Sequence, residues 1–211
     1  QLEAAERLTR IGALNPNQLL GLYTDRLPAA SGGIWDRVSA LQQFETALNT
    51  ESVDAVSKTL PLVWQAMSEA RIEVAFADLF SEQIATIPLT GASAELAWYI
   101  RLLSPSYAST AVSIPKDSRK NRFLSALAQG KPNSVAATTE LEHAIGDGFD
   151  INAQLPKDMQ ILLDSGQLGE AILRSMQMFE QGATGNLSDL SAALITFRAV
   201  GLEDTARRAS L

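Results

Sequence analysis

The 211-residue sequence contains no cysteine and a single histidine, His143. The first absence excludes disulfides, thiolate metal sites, iron–sulfur clusters and cysteine nucleophiles together. The second forces any histidine-dependent acid–base step through one residue. Long apolar runs are missing too: none approaches the ~20 residues of a membrane span, and even Ala94–Leu103 is interrupted by Glu95 and Arg101. There is no basic excess. Seventeen Lys and Arg stand against 24 Asp and Glu, a formal charge of −7, which argues against nucleic acid or an anionic membrane as the main partner. Strand signals are scarce, and the best of them, Thr110–Ile114, is cut off by Pro115.

Catalytic signatures are absent as well. No Gly-x-Ser-x-Gly elbow occurs, and Ser31-Gly32-Gly33 reads as a turn before a helix. Neither a nucleotide P-loop nor a dinucleotide glycine fingerprint is present. Gly182-Ala183-Thr184-Gly185 lacks the strand and the lysine that a phosphate loop needs, so it reads as an inter-helix loop. Asp147 to Asn152 does not match calcium-loop spacing and reads as a turn capped by Asp or Asn. Glu140-x-x-His143 has the spacing of half a carboxylate-bridged di-iron site, but the other half needs a second histidine. His143 is therefore expected on the surface of an ordinary helix. A mononuclear site built from His143, Glu140 and distant carboxylates stays open, as does an acid–base pair of carboxylates, which leaves no sequence signature. No residue is assigned a catalytic, cofactor-binding or metal-ligating role, no cofactor is implied, and an enzyme is not the preferred reading.

What is present is a globular composition, with 46% apolar and 19% charged residues. A chain of this length buries roughly 70% of its unfolded surface on folding. Apolar residues recur at helical spacing in four stripes: Ile34-Val38-Leu41-Leu48, Val53-Val56-Leu60-Val63-Met67, Leu168-Ile172-Met176-Phe179 and Leu187-Leu190-Leu194-Phe197. Each predicts a band of large side chains on one helical face. Asn15-Pro16 reads as a helix start, with proline in the first turn. Thr50 is the expected cap of the helix that follows it, with Glu51 and Asp54 suited to its positive end. Pro61 predicts a kink or a split in that helix. Breaks are expected at Pro88–Gly91, Ser104-Pro105, Ile114-Pro115, Gly130-Lys131-Pro132 and Leu155-Pro156, and at Gly182 and Gly185. Ten to thirteen short helices result.

Lys116, Arg119, Lys120 and Arg122 form the one dense basic cluster; on a helix, 116, 119 and 120 share a face, read as solvated. No tryptophan or tyrosine interleaves it as a stacking platform would require. Trp98, Tyr99, Tyr107, Trp35 and Trp64 are read as packing residues.

Gly166 and Gly201 each lie five residues before an alanine, Ala171 and Ala206, with helices expected on both sides. This 35-residue echo, over about Ile161 to Leu211, resembles the turn and second helix of tetratricopeptide-type helical hairpins. The tryptophan-leucine-glycine-tyrosine arrangement of that family's first helix is not present. Separately, Leu27 to Val38 is similar to uncharacterised bacterial proteins, a likeness that implies no activity.

The expectation is an all-α chain of stacked antiparallel helical hairpins, a degenerate tetratricopeptide-like solenoid, with an irregular all-α globule as the alternative. It is read as one domain over 1–211, with a possible subdivision near 88–91, and as a fragment of a longer chain. The resemblance implies a non-catalytic protein that mediates protein–protein or peptide interaction. The alternative is the helical, superhelical portion of a larger bacterial cell-wall-active enzyme. Absence of thiols suits a bacterial cytoplasm and also a periplasm, with a slight lean to the latter.

Overall fold

Proline and glycine mark most of the places where helices stop. A computed structural model describes residues 1–25 and 33–211. It divides into two compact units, 1–110 and 111–211. The first holds α1 (Leu2–Arg10), α2 (Pro16–Thr24), α3 (Ile34–Asn49), α4 (Val53–Glu69), α5 (Glu73–Thr86), α6 (Gly91–Leu102) and α7 (Tyr107–Thr110). The second holds α8 (Arg119–Ala128), a 3-10 turn (Pro132–Ser134), α9 (Glu140–Gly148), α10 (Lys157–Asp164), α11 (Leu168–Ala183), α12 (Leu187–Ala199) and α13 (Glu203–Ser210). No strand occurs among the described residues, and Thr110–Ile114 is a helix end and a turn. The Pro88–Gly91 break lies inside the first unit, between α5 and α6. Residues 26–32, which include Ser31-Gly32 and the start of the Leu27 to Val38 stretch, lie outside the described residues.

Local chemistry explains the helix starts. Asn15 accepts from the Asn17 N–H at 2.9 Å, and Gln18 reaches back to the Asn15 N–H, a reciprocal cap. The cap of α4 is Ser52, not Thr50: the Ser52 hydroxyl accepts from the Ala55 N–H, whereas the Thr50 hydroxyl donates to the Ala47 carbonyl. Between them Glu51 sits at φ 50°, in left-handed backbone that rarely suits a residue with a side chain. Arg71 does the same between α4 and α5, at φ 56°.

These two residues belong to a recurrent turn. After Arg71, Gly166 and Gly201, crossed backbone bonds close the preceding helix as a Schellman motif, for instance Gly166 N–H to Leu163 C=O and Gln167 N–H to Leu162 C=O. The residue five places after each left-handed position is buried: Val56, Phe76, Ala171 and Ala206. The glycine-to-alanine echo thus corresponds to one turn geometry. In the first unit Arg71 carries the same crossed bonds, and Glu51 has the left-handed backbone with one of them, its N–H to the Leu48 carbonyl.

α4 is continuous through Pro61. Proline has no N–H to give to the Ser57 carbonyl one turn earlier. That carbonyl instead accepts a bond from the Ser93 hydroxyl of α6 at 3.4 Å. A tertiary contact replaces the missing helical bond, so the split that Pro61 predicts does not occur.

The first unit closes around Phe44, Phe76 and Phe80, with ring centroids 5.0–5.5 Å apart and Trp64 6.2 Å from Phe76. The stripes of α3 and α4 face this core: Val38, Leu41, Leu48, Val56, Leu60, Val63 and Met67 are all buried. In the second unit α12 is central, packing on α9, α11 and α13, while α13 also reaches α8. Its stripe of Leu190, Leu194 and Phe197 is buried as expected.

α11 departs from expectation. Its inward residues are Ala171, Ser175 and Gly182, whereas Leu168 and Met176 are about half exposed, at 49% and 56%. The reason is the closeness of α12. A Cβ on Gly182 would lie 2.6–2.8 Å from the Cβ and backbone of Leu190. Glycine makes room for that crossing, while Ala171 and Ser175 on the same face pack on α10, and of the large stripe Phe179 still packs on Phe197 with ring centroids 6.2 Å apart. Gly148 of α9 plays the same part on another side of α12, where an added Cβ would come 2.7 Å from Leu194.

Candidate functional site

The second unit holds an apolar groove. Phe179 and Ala183 form one wall with the turn through Gly185. Leu141 and Ile145, one helical turn apart on α9, form another. Leu187 and Leu190 of α12 floor it, and Ala209 and Ser210 close one end. The space is about 350 Å³ and open to solvent. Its lining is almost wholly apolar; Leu141 is half exposed, and Leu173 and Met176 extend the apolar surface along α11.

The one hydroxyl lining this groove, that of Ser210, donates to the Ala206 carbonyl at 2.8 Å, and no histidine, aspartate or glutamate lines it. His143 is exposed on α9, as sequence reasoning placed it. No group of His, Asp and Glu suited to a metal occurs among the described residues. Glu142, rather than Glu140, is the engaged carboxylate of α9. Arg119 grips it with two bonds of 2.7 and 2.9 Å, and the Thr138 N–H donates to it at 2.7 Å. Chiefly through the Arg119 bonds, its carboxyl falls from an ordinary 4.5 to about 2.

That pairing also dismantles the basic cluster. α8 begins only at Arg119, after the Ser118 cap, so Lys116 does not share a helical face with 119 and 120. Arg119 is held by Glu142 and Arg122 by Asp117. Asp150 accepts from the Asn152 N–H at 2.8 Å, the capped turn expected there. Gly182 to Gly185 ends α11 and turns into α12. Trp98 and Tyr107 are buried, Trp98 donating to the Thr110 carbonyl at 3.1 Å, and Trp35 and Trp64 pack against the first unit's core.

The first unit holds one buried polar constellation that sequence reasoning missed. Glu6 is 2% exposed. It accepts two bonds of 2.8 Å from Arg37 and one from the Tyr23 hydroxyl. Burial, and then the neighbouring Glu6, push the Tyr23 hydroxyl well above its ordinary value. Both Glu6 oxygens are engaged, and the trio joins α1, α2 and α3. It is a clamp rather than a reactive site. A shallow cleft between α3 and α4, about 230 Å³, is lined by Asp36, Ser39, Gln43 and Thr59, with Asp36 as the one carboxylate in that lining.

The groove was hidden because its walls come from four helices separated in sequence. The available signals were the four-residue spacing of Leu141 and Ile145 and the excess of large residues on α11. No helix among the described residues is long and apolar enough to cross a membrane. Comparison with protein-family models, curated proteins and solved structures finds no match to the chain.

Proposed function

We propose that the chain is a non-catalytic interaction module whose second unit receives a protein or peptide segment in the apolar groove. The observation that carries the reading is the groove itself, about 350 Å³ and lined almost wholly by apolar side chains. An apolar cleft with few polar groups is the usual form of a site that binds by burial. Each fully buried aliphatic side chain of a partner contributes about 2 kcal/mol, so a few anchors suffice for measurable affinity.

We further propose that the hairpins are degenerate helical repeats of tetratricopeptide type. The recurrent left-handed turn with a buried residue five places on supports this, as does the packing of α3 on α4, α4 on α5 and α5 on α6. Contacts of α9 with α12 and of α8 with α13 are longer in range than a repeat stack requires. α2 also meets α5 in the first unit, and α10 to α13 pack in sequence, so the repeat reading applies most directly to 161–211, where the glycine-to-alanine echo lies.

Leu141→Glu and Ala183→Arg place a charge in the groove at positions already exposed, which spares the fold. Capture with the wild-type chain and both variants, side by side, tests the reading. A protein retained by the wild type and lost from both variants is expected. Equal retention by all three, or no retained protein, contradicts it.

A further inference from the structure

We propose that α1 and α2 form a strap across the first unit, which opens while α3 to α6 stay folded and is latched by the buried Glu6–Arg37 pair. α1 packs chiefly on α2, and α2 packs on α3 and α5. What α1 adds to the core is slight: its buried residues are Leu2, Ala5, Glu6 and Thr9. The Thr9 hydroxyl donates to the Ala5 carbonyl of its own helix at 2.9 Å. α2 buries Leu19 and Tyr23, and its interior carries Gly21, where an added Cβ would meet nothing within 4 Å. No close approach requires glycine there, and it weakens the helix relative to alanine. The body beneath is built otherwise: Val38, Phe44, Val63 and Phe80 of α3 to α5 are 0–3% exposed.

The latch is polar. Glu6 accepts two bonds of 2.8 Å from Arg37 of α3 and one from Tyr23 of α2. Gln42 of α3 donates to the Tyr23 carbonyl at 2.8 Å. Closing strips water from both charges, which their attraction offsets, and opening returns both to water. The closed and open states are thereby brought near balance, whereas loss of one partner leaves the other charge buried alone and drives the strap off. Under the strap, Leu19, Leu20 and Tyr23 meet Leu41, Phe76 and Phe80 around a space of about 20 Å³. That is room for about one water, so the closed seam is too small for a ligand, and opening bares its apolar lining.

Hydrogen exchange of the full chain, read by peptide mass analysis, tests the strap. Nine-residue helices are marginal once off the body. α1 and α2 should therefore melt on opening and exchange together, ahead of α4 and α5. Glu6→Gln is expected to speed exchange in both α1 and α2 about a hundredfold and to leave α4 and α5 unchanged. Gly21→Ala should slow both about fivefold. Exchange of α1 and α2 in step with α4 and α5, in the wild type or after Glu6→Gln, makes strap and body one cooperative block and overturns the proposal. A response confined to the helix that carries the substitution overturns it as local fraying. Unchanged exchange in Glu6→Gln removes the latch.

Discussion

α4 of the first unit and α11 of the second carry equally plain apolar stripes, yet they bury them to different degrees. Along α4 the large residues Val56, Leu60, Val63 and Met67 face inward, at 0–2% exposure. Along α11 the inward line is Ala171, Ser175 and Gly182. The difference lies in the neighbour. α4 lies over a core filled by Phe44, Phe76 and Phe80, where bulk on both sides is accommodated by separation between elements. α11 lies against α12 at a glycine contact, where bulk is excluded. Hydrophobic periodicity identifies an amphipathic helix, but the distance to the partner helix decides which part of a broad apolar sector is covered. The uncovered part of α11 leaves Leu168, Leu173 and Met176 at the surface of the second unit.

Substitutions that change bulk break this contrast most sharply. Phe44→Ala empties the centre of the aromatic cluster and is expected to cost about 4 kcal/mol, read from denaturant unfolding followed by far-ultraviolet circular dichroism. Gly182→Val does the reverse, adding atoms where the Leu190 backbone leaves no room. It is expected to cost about 3 kcal/mol by the same measurement. A cost below ~0.5 kcal/mol would mean that α11 and α12 do not approach as described.

Acid titration separates the units differently. Glu142 has its carboxyl lowered from 4.5 to about 2 by Arg119 and the Thr138 N–H. The unfolded chain then binds this proton at higher pH than the folded one. The contribution is therefore complete above about pH 4.5 and is lost as pH falls toward about 2. Glu142→Gln should flatten the decline of stability across that window and leave its slope above pH 6 unchanged. An unaltered acid profile would contradict the pairing.

The smallest effect is the most telling for the groove. Leu173→Ala, at a residue 60% exposed, should change stability by less than ~0.5 kcal/mol. Leucine at a buried helical position costs several times more.

Much of the architecture was legible in the chain. The all-helical class, the breaks at proline and glycine, and three of the four stripes follow from spacing alone. What was not legible depended on contacts distant in sequence. Pro61 is tolerated because Ser93 answers the Ser57 carbonyl. Glu51 and Arg71 take left-handed turns that composition assigns to glycine. The inward face of α11 is set by Gly182 meeting Leu190, and Gly182 by itself reads only as a helix stop. The groove was hidden because its lining comes from α9, α11, α12 and α13, which are distant in sequence.

The four methionines provide the direct test of the α11 orientation. Met67 and Met159 are 2% and 1% exposed, Met178 is partly buried, and Met176 is 56% exposed. Under mild peroxide, thioether oxidation follows accessibility, and peptide mass analysis reads each site separately. Met176 is predicted to become sulfoxide well before Met67 and Met159, with Met178 between them. Protection of Met176 to the level of Met67 would place the large stripe of α11 against the core and contradict the account.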